Sequence, residues 1–196
     1  MTLVNNQHSL LNTHQKILSS TLSLFSEKGY FNTSVRDISR VSGVSIGSIY
    51  HHFKDKEGVA SVMYNSLLER MLTELETIQL NNDGAYHRCR AVIAFLFDLT
   101  EAEPEVMEFM LYSRHREFLP QEQPVCSSKP FEMMRNMVQQ GMDAGDVQKM
   151  DIMVASSCLF GAAIRMITSR LDGLVEKPLP AYLDDIWACS WKAVAI

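Results

Sequence analysis

Residues 34–57 read Ser34-Val35-Arg36-Asp37-Ile38-Ser39-Arg40-Val41-Ser42-Gly43-Val44-Ser45-Ile46-Gly47-Ser48-Ile49-Tyr50-His51-His52-Phe53-Lys54-Asp55-Lys56-Glu57. Ser34 and Asp37 stand at capping-box spacing, with the acid favourable near the positive end of a helix dipole. Val35, Ile38 and Val41 form an apolar stripe, and Gly43 stops the helix after about two turns of 3.6 residues. Ser45 is a good N-cap for a second short helix, about 46–52. Val44 and Ile49 are spaced as a hydrophobic staple across that start. Asp55 then caps a further helix from Lys56. Two short helices joined across Gly43 form a helix-turn-helix candidate. For the second helix to enter a major groove, the residues near its start must be small or polar, and Ser45, Gly47 and Ser48 are. Its exposed amides also suit phosphate oxygens. Tyr50, His51 and His52 add hydroxyl and imidazole groups.

Working outward, the pattern is helical nearly throughout, which predicts an all-α fold. Ile17, Thr21, Leu24, Phe25 and Lys28 repeat at three- and four-residue steps over 13–28, and Lys28-Gly29 supplies a C-terminal stop. Residues 1–12 read as a flexible N-terminal tail. Downstream, a long helix is expected over 56–80, broken by Asn81-Asn82-Asp83-Gly84, and others near 86–100, 105–116, 130–144, 150–172 and 180–194. These breaks divide the chain into a head over 13–58 and a helical body over 59–196.

Composition narrows the function classes. The 196 residues are 46% hydrophobic and 21% charged, with a formal net charge of −5. That is ordinary globular composition. Residues 1–60 carry six Lys/Arg against four acids, and the remainder carry 12 against 19, a mildly basic head on an acidic body. The longest uncharged apolar stretch, Ile152 to Ile164, ends at Arg165, short of the ~20 residues that span a bilayer. With no positively charged leader pattern at residues 1–12, a cytoplasmic protein without membrane association is expected. The cysteines Cys89, Cys126, Cys158 and Cys189 are scattered without metal spacing. Adjacent His51 and His52 point to different sides of a helix, so no metal is expected. No phosphate loop, HExxH or nucleophile–base set is present, and neither an enzyme nor a bound cofactor is expected.

The runs Phe25-Ser26-Glu27-Lys28-Gly29-Tyr30, Thr33 to Ile38 and Gly43 to Glu57 together resemble the DNA-binding domain of TetR-family transcriptional regulators. The resemblance covers about residues 13–60. It implies a homodimer whose N-terminal three-helix domain holds double-stranded operator DNA. It implies a C-terminal helical domain that holds a small-molecule effector and the dimer interface. It puts Thr33, Ser34, Ser45, Gly47, Ser48, Tyr50, His51, His52 and Lys56 at DNA-contacting positions, and Phe53 in the core. Ile46 stands where many members carry a polar or basic residue. The recognition helix has no Lys or Arg, which disfavours a bidentate guanine contact from its centre.

In the body, Met and aromatic side chains are either packing or the lining of an apolar pocket. The pocket candidates are Met63, Phe97, Met107, Met110, Leu111, Arg114, His115, Met137 and Phe160. Arg114-His115-Arg116 could hold an anionic group or satisfy helix-end carbonyls. The 150–172 helix is apolar on two faces, one through Ile152, Leu159, Phe160, Ala163 and Ile167 and one through Val154, Cys158, Gly161, Ala162 and Arg165. Two apolar faces need two packing partners. Cys158, Gly161, Ala162, Arg165, Trp187 and Trp191 are therefore the expected dimer contacts. The function expected is a repressor released from a near-palindromic operator by a small molecule. The alternative is the same fold switched by cysteine oxidation, with Cys126 in its Pro-flanked segment the best-placed thiol.

Overall fold

The computed structural model describes the backbone of residues 2–196 and the side chains of residues 12–196. In chain order the helices are α1 (Thr2–Lys28), α2 (Val35–Ser42), α3 (Ile46–Phe53), α4 (Lys56–Asn81) and α5 (Gly84–Ala102). There follow α6 (Pro104–Tyr112), α7 (His115–Phe118), α8 (Lys129–Ala144), α9 (Ile152–Leu171) and α10 (Leu183–Lys192). Short 3₁₀ turns lie at Val125–Ser127 and Leu179–Tyr182. Among the described residues the β pairing is a single antiparallel bridge, Val147 to Ala195. The fold is all-α.

Two elements differ from the sequence reading. Helix α1 begins at Thr2, so the backbone of residues 2–12 is helical where a flexible tail was expected. The single helix expected over 105–116 is two, because Arg114 leaves helical geometry at φ −81 and ψ 69. Residues 113 and 114 are Ser and Arg, so no Gly or Pro announces that break.

The chain forms two compact units. The first holds the residues up to Leu67 together with Glu108–Pro124, and the second holds Leu68–Met107 together with Val125–Ile196. This interleaving differs from a single cut at 58/59. In the first unit Ile17, Leu24, Ile38, Ile49, Phe53 and Val59 form one buried cluster, with Leu18, Val35 and Val44 packed against it. Each such side chain contributes about 1.5–3 kcal/mol on leaving water. The segment after α7 is fastened to the start of α4 by polar bonds. The Tyr64 hydroxyl donates to the Gln123 carbonyl at 2.7 Å and the Ser61 hydroxyl to Glu122 Oε1 at 2.5 Å.

In the second unit α5 is the central helix. It buries Cys89, Val92, Ile93, Leu96, Phe97 and Thr100, with α8, α9 and α10 packed on it. Arg170 on α9 grips Glu101 on α5 through two parallel bonds of 3.0 Å, and Glu101 also accepts from the Leu179 amide at 2.9 Å. The hydrogen bonds from Arg170 hold the Glu101 carboxyl below its usual range. Arg170 further donates to the carbonyls of Val175 and Glu176, so one guanidinium orders the connection after α9.

Helix α9 is long and apolar enough to cross a membrane by length and composition, with mean hydropathy 1.6 over an 18-residue window, although only 28% of that window is buried. The apolar run read as ending at Arg165 therefore continues as helix to Leu171. Its two faces separate as the sequence suggested. Ala155, Leu159, Phe160, Ala163 and Ile167 are buried, whereas Met153, Val154, Cys158, Gly161, Ala162 and Arg165 are exposed.

Helices α5 and α8 pack closely at Gly141. A Cβ there would sit 2.6 Å from Ala85 Cβ and 2.9 Å from Val147 Cγ2. Both neighbours are short, branched or backbone-bound and cannot swing away. Gly141→Ala is expected to cost about 1–3 kcal/mol through overpacking, read as a lower urea midpoint at unchanged slope.

Candidate nucleic-acid interface

The geometry of residues 33–58 follows from its caps. The Ser34 hydroxyl accepts from the Asp37 amide at 3.2 Å, and the Asp37 carboxylate accepts from the Ser34 amide at 3.0 Å. These Ser34 bonds also lower the Asp37 pKa. Gly43 closes α2 in the left-handed region at φ 69, a conformation that costs glycine nothing. Ser45 accepts from the Ser48 amide at 3.2 Å. The staple pair meets the same core, with Ile49 buried and Val44 packed against it.

The exit from α3 is an unusual turn. The Asp55 amide donates to the Phe53 carbonyl at 2.8 Å, an i→i+2 bond centred on Lys54 at φ 68 and ψ −49. This is a γ-turn of the strained hand, and Lys54 is the one non-glycine with positive φ among the described residues. The Asp55 carboxylate then caps α4 by accepting from the Gly58 amide at 2.7 Å. A Cβ on Gly58 would overlap the Phe53 carbonyl oxygen. The turn therefore requires glycine at 58, a requirement that is invisible in a local helix pattern.

With Ile49 and Phe53 anchored inward, the opposite face of α3 stands in solvent. Ser45, Ile46, Gly47, Tyr50 and His51 are exposed, Tyr50 by 50%. Ser48 and His52 are half-buried, and His52 meets His14 of α1 edge-on at 6.2 Å. Desolvation, with His52 nearby, lowers the His14 pKa. Ser34 is exposed but spends its hydroxyl on capping. Thr33 is buried, and its hydroxyl donates to the Gly29 and Leu24 carbonyls. Lys56 is also turned inward. Its ammonium donates to the carbonyls of Tyr30 at 2.8 Å and Thr33 at 2.9 Å and lies 3.9 Å from the centre of the Tyr30 ring. Desolvation lowers its pKa. Thr33 and Lys56 thus spend their polar groups on the scaffold, while α3 carries exposed groups that are not so spent.

The comparisons with known proteins bear on this unit. Residues 17–62 match the sequence model of "Bacterial regulatory proteins, tetR family". That match covers the head and the start of α4, 46 of the 196 residues. Over 64 residues it is 44% identical to the HTH-type transcriptional regulator AcrR of Shigella flexneri, covering 33% of this chain and 29% of that protein. It is 28% identical over 132 residues to the HTH-type transcriptional regulator BetI of Klebsiella pneumoniae, covering 63% and 65% of the two chains. The matched region thus spans from under a third to about two thirds of the length of these relatives. The fold is shared over nearly the whole chain. A TetR family regulator from Marinobacter aquaeolei superposes with a TM-score of 0.81 at 17% identity, covering 96% of this chain and 98% of that one. The regulator FadR of Bacillus subtilis, solved in complex with stearoyl-CoA, gives 0.79 at 18% identity over 90% and 96%.

The other candidate residues are dispersed. Of the expected pocket residues, Met63, Met110, Leu111, Arg114 and His115 lie in the first unit, and Phe97, Met107, Met137 and Phe160 in the second. The last four are buried, as are Met63, Met110 and His115, while Leu111 is half-buried and Arg114 is exposed. Arg114 pairs with Glu117 at 3.1 Å. Among the expected dimer residues, Cys158, Gly161, Ala162 and Arg165 are exposed on α9, and Trp191 is half-buried. Trp187 is a correction: it is buried in its own unit, stacked on Trp191 and edge-on to Tyr86. The four cysteines are free thiols. Burial pushes the Cys89 thiol up to about 12, which leaves it inert, and the other three are exposed. Among the described residues no group of three or more His, Cys, Asp or Glu could hold a metal ion.

His115 gives a pH signature. It is buried against Tyr64, Phe109 and Phe118, and its Nε2 has no hydrogen-bond partner. Burial lowers its pKa to about 4. Between pH 6.5 and 4 the unfolded chain binds this proton and the folded chain does not, so stability falls as pH falls. Wild type is expected to lose up to about 3 kcal/mol over that window that His115→Gln retains, measured by urea unfolding at pH 7 and pH 4. Lys56→Met is expected to cost about 1–3 kcal/mol through its two lost charged hydrogen bonds, read in the same assay.

Proposed function

We propose that the chain is a dimeric DNA-binding transcriptional regulator of the cytoplasm, a repressor released from a near-palindromic operator by a small molecule. One observation carries this reading: α3 is pinned from behind by Ile49 and Phe53 and presents Ser45, Ile46, Gly47, Tyr50 and His51 outward. The start of that face is small enough for the backbone to approach phosphates, and Tyr50 and His51 reach further for phosphates or base edges. Ile46 meets a thymine methyl.

The exposed face of α9 supports the dimer. Val154, Cys158, Gly161 and Ala162 lie at helical spacing, and nothing stands within 4 Å of a Cβ placed on Gly161. A second copy of the helix related by a two-fold axis would cover this face and pair two α3 helices for successive major grooves. A small-molecule effector in the helical body is supported by its Met and aromatic content, and by the fold likeness to FadR, which binds stearoyl-CoA in its own structure. The effector acts only through its differential affinity for the DNA-competent and DNA-incompetent states.

Selection of genomic fragments by the purified protein tests the reading. Wild type is expected to enrich a near-palindrome, and the Tyr50→Ala, His51→Ala double variant to lose at least about tenfold in affinity for it. Enrichment of no sequence by wild type, with or without cell extract, sinks the proposal. On the enriched operator, Lys56→Met is expected to leave the slope of log affinity against log salt unchanged, because its ammonium is spent on Tyr30 and Thr33. A slope reduced by about one would mean that Lys56 neutralises a phosphate instead.

A further inference from the structure

Within the first unit, the C-terminal end of α1 and the α6–α7 segment enclose a cleft of about 440 Å³. That volume lies in the range of small-molecule sites. Its floor is apolar, from the buried rings of Phe25, Phe109 and Phe118. Phe31 at the mouth is 65% exposed, an uncommon position for phenylalanine in a folded chain. The Tyr30 ring stacks on Phe118 at 4.2 Å and has the Lys56 ammonium 3.9 Å from its centre, so this ring already has its own cation.

The charges in the cleft are two carboxylates and one guanidinium, and they are unequal in kind. Arg114 is paired with Glu117 at the exposed rim. Glu108 sits deeper, half-buried, with the Ser26 hydroxyl donating to it and no cationic partner among the described residues. An anionic ligand meets a guanidinium whose charge Glu117 already offsets at the exposed rim, and it must approach Glu108. A cationic one meets a carboxylate that is in no ion pair among the described residues, and the rings of Phe31, Phe109 and Phe118, whose faces carry negative potential. An apolar body would cover the Phe31 ring.

We propose that this cleft binds a small organic cation bearing an apolar body, at a site in the DNA-binding unit and separate from the buried Met and aromatic side chains of the second unit. The site does not depend on the operator proposal, and its test reads binding alone.

Isothermal titration of the full chain with benzyltrimethylammonium, benzyl alcohol and benzoate distinguishes the charge classes. Amide NMR with the cation locates the site. The cation is expected to bind one per chain, shifting the Ser26, Gly29 and Ser113 amides, with benzoate not binding and benzyl alcohol at least about tenfold weaker. Glu108→Gln is expected to weaken the cation about tenfold without changing benzyl alcohol, and Phe31→Ala to weaken both. If Glu108→Gln does not fold, Phe31→Ala decides, because its ring is already in water. The proposal is overturned if wild type binds no cation at millimolar concentration, or if benzoate or benzyl alcohol binds as well. Shifts lying outside the cleft, or folded variants that bind like wild type, overturn it too.

Discussion

The first unit depends on how the chain leaves α3 and enters α4. Phe53 must be buried to hold α3 by its inner face, yet the chain must reverse at once to start α4. The γ-turn at Lys54 makes that reversal, and the Phe53 carbonyl it exposes needs the space that glycine at 58 leaves. Lys56 then fastens the new helix to the Tyr30 and Thr33 carbonyls. Those carbonyls belong to the connector between α1 and α2, so one ammonium links the two ends of the three-helix head. A strained backbone dihedral is held there by surrounding packing, the usual condition for such strain to persist.

The exposed face of α3 carries little charge. A lysine close in sequence is consumed by the scaffold, and α3 itself has no Lys or Arg. What reaches outward is hydroxyl, imidazole and backbone amide. Recognition built on such groups relies on shape and on close backbone approach more than on long-range attraction. The net charge of −5 for the chain points the same way.

The second unit obeys a different constraint. Its central helix α5 is surrounded by α8, α9 and α10, and the Glu101–Arg170 pair fixes where α9 ends. Only one face of α9 is used in this packing. The other displays Met153, Val154 and small residues to solvent, an arrangement that leaves apolar area uncovered within one copy of the chain. The partition of α9 into a core face and an exposed face was legible in the sequence because helical periodicity sorts residues by angle. Trp187 and Trp191 share one face of α10, and periodicity does not say that Trp187 is covered by its own unit.

Helix boundaries around the head were readable because capping is local chemistry. Ser34 with Asp37, Gly43, Ser45 and Asp55 each satisfy backbone groups within a few residues, and the structure places every one of those bonds or dihedrals as expected. The break at Arg114, the inward turn of Thr33 and Lys56, and the Glu108 cleft were not readable. Two of them depend on a partner far along the chain: Glu108 lies 82 residues from Ser26, and Lys56 lies 26 from Tyr30. The sequence by itself determined the short helices of the head, their caps and the outward face of α3, because those follow from contacts within one or two helical turns. Only the tertiary structure decided which polar side chains are spent on the scaffold and which remain for a ligand, because that depends on which distant carbonyls and carboxylates folding brings within hydrogen-bond reach.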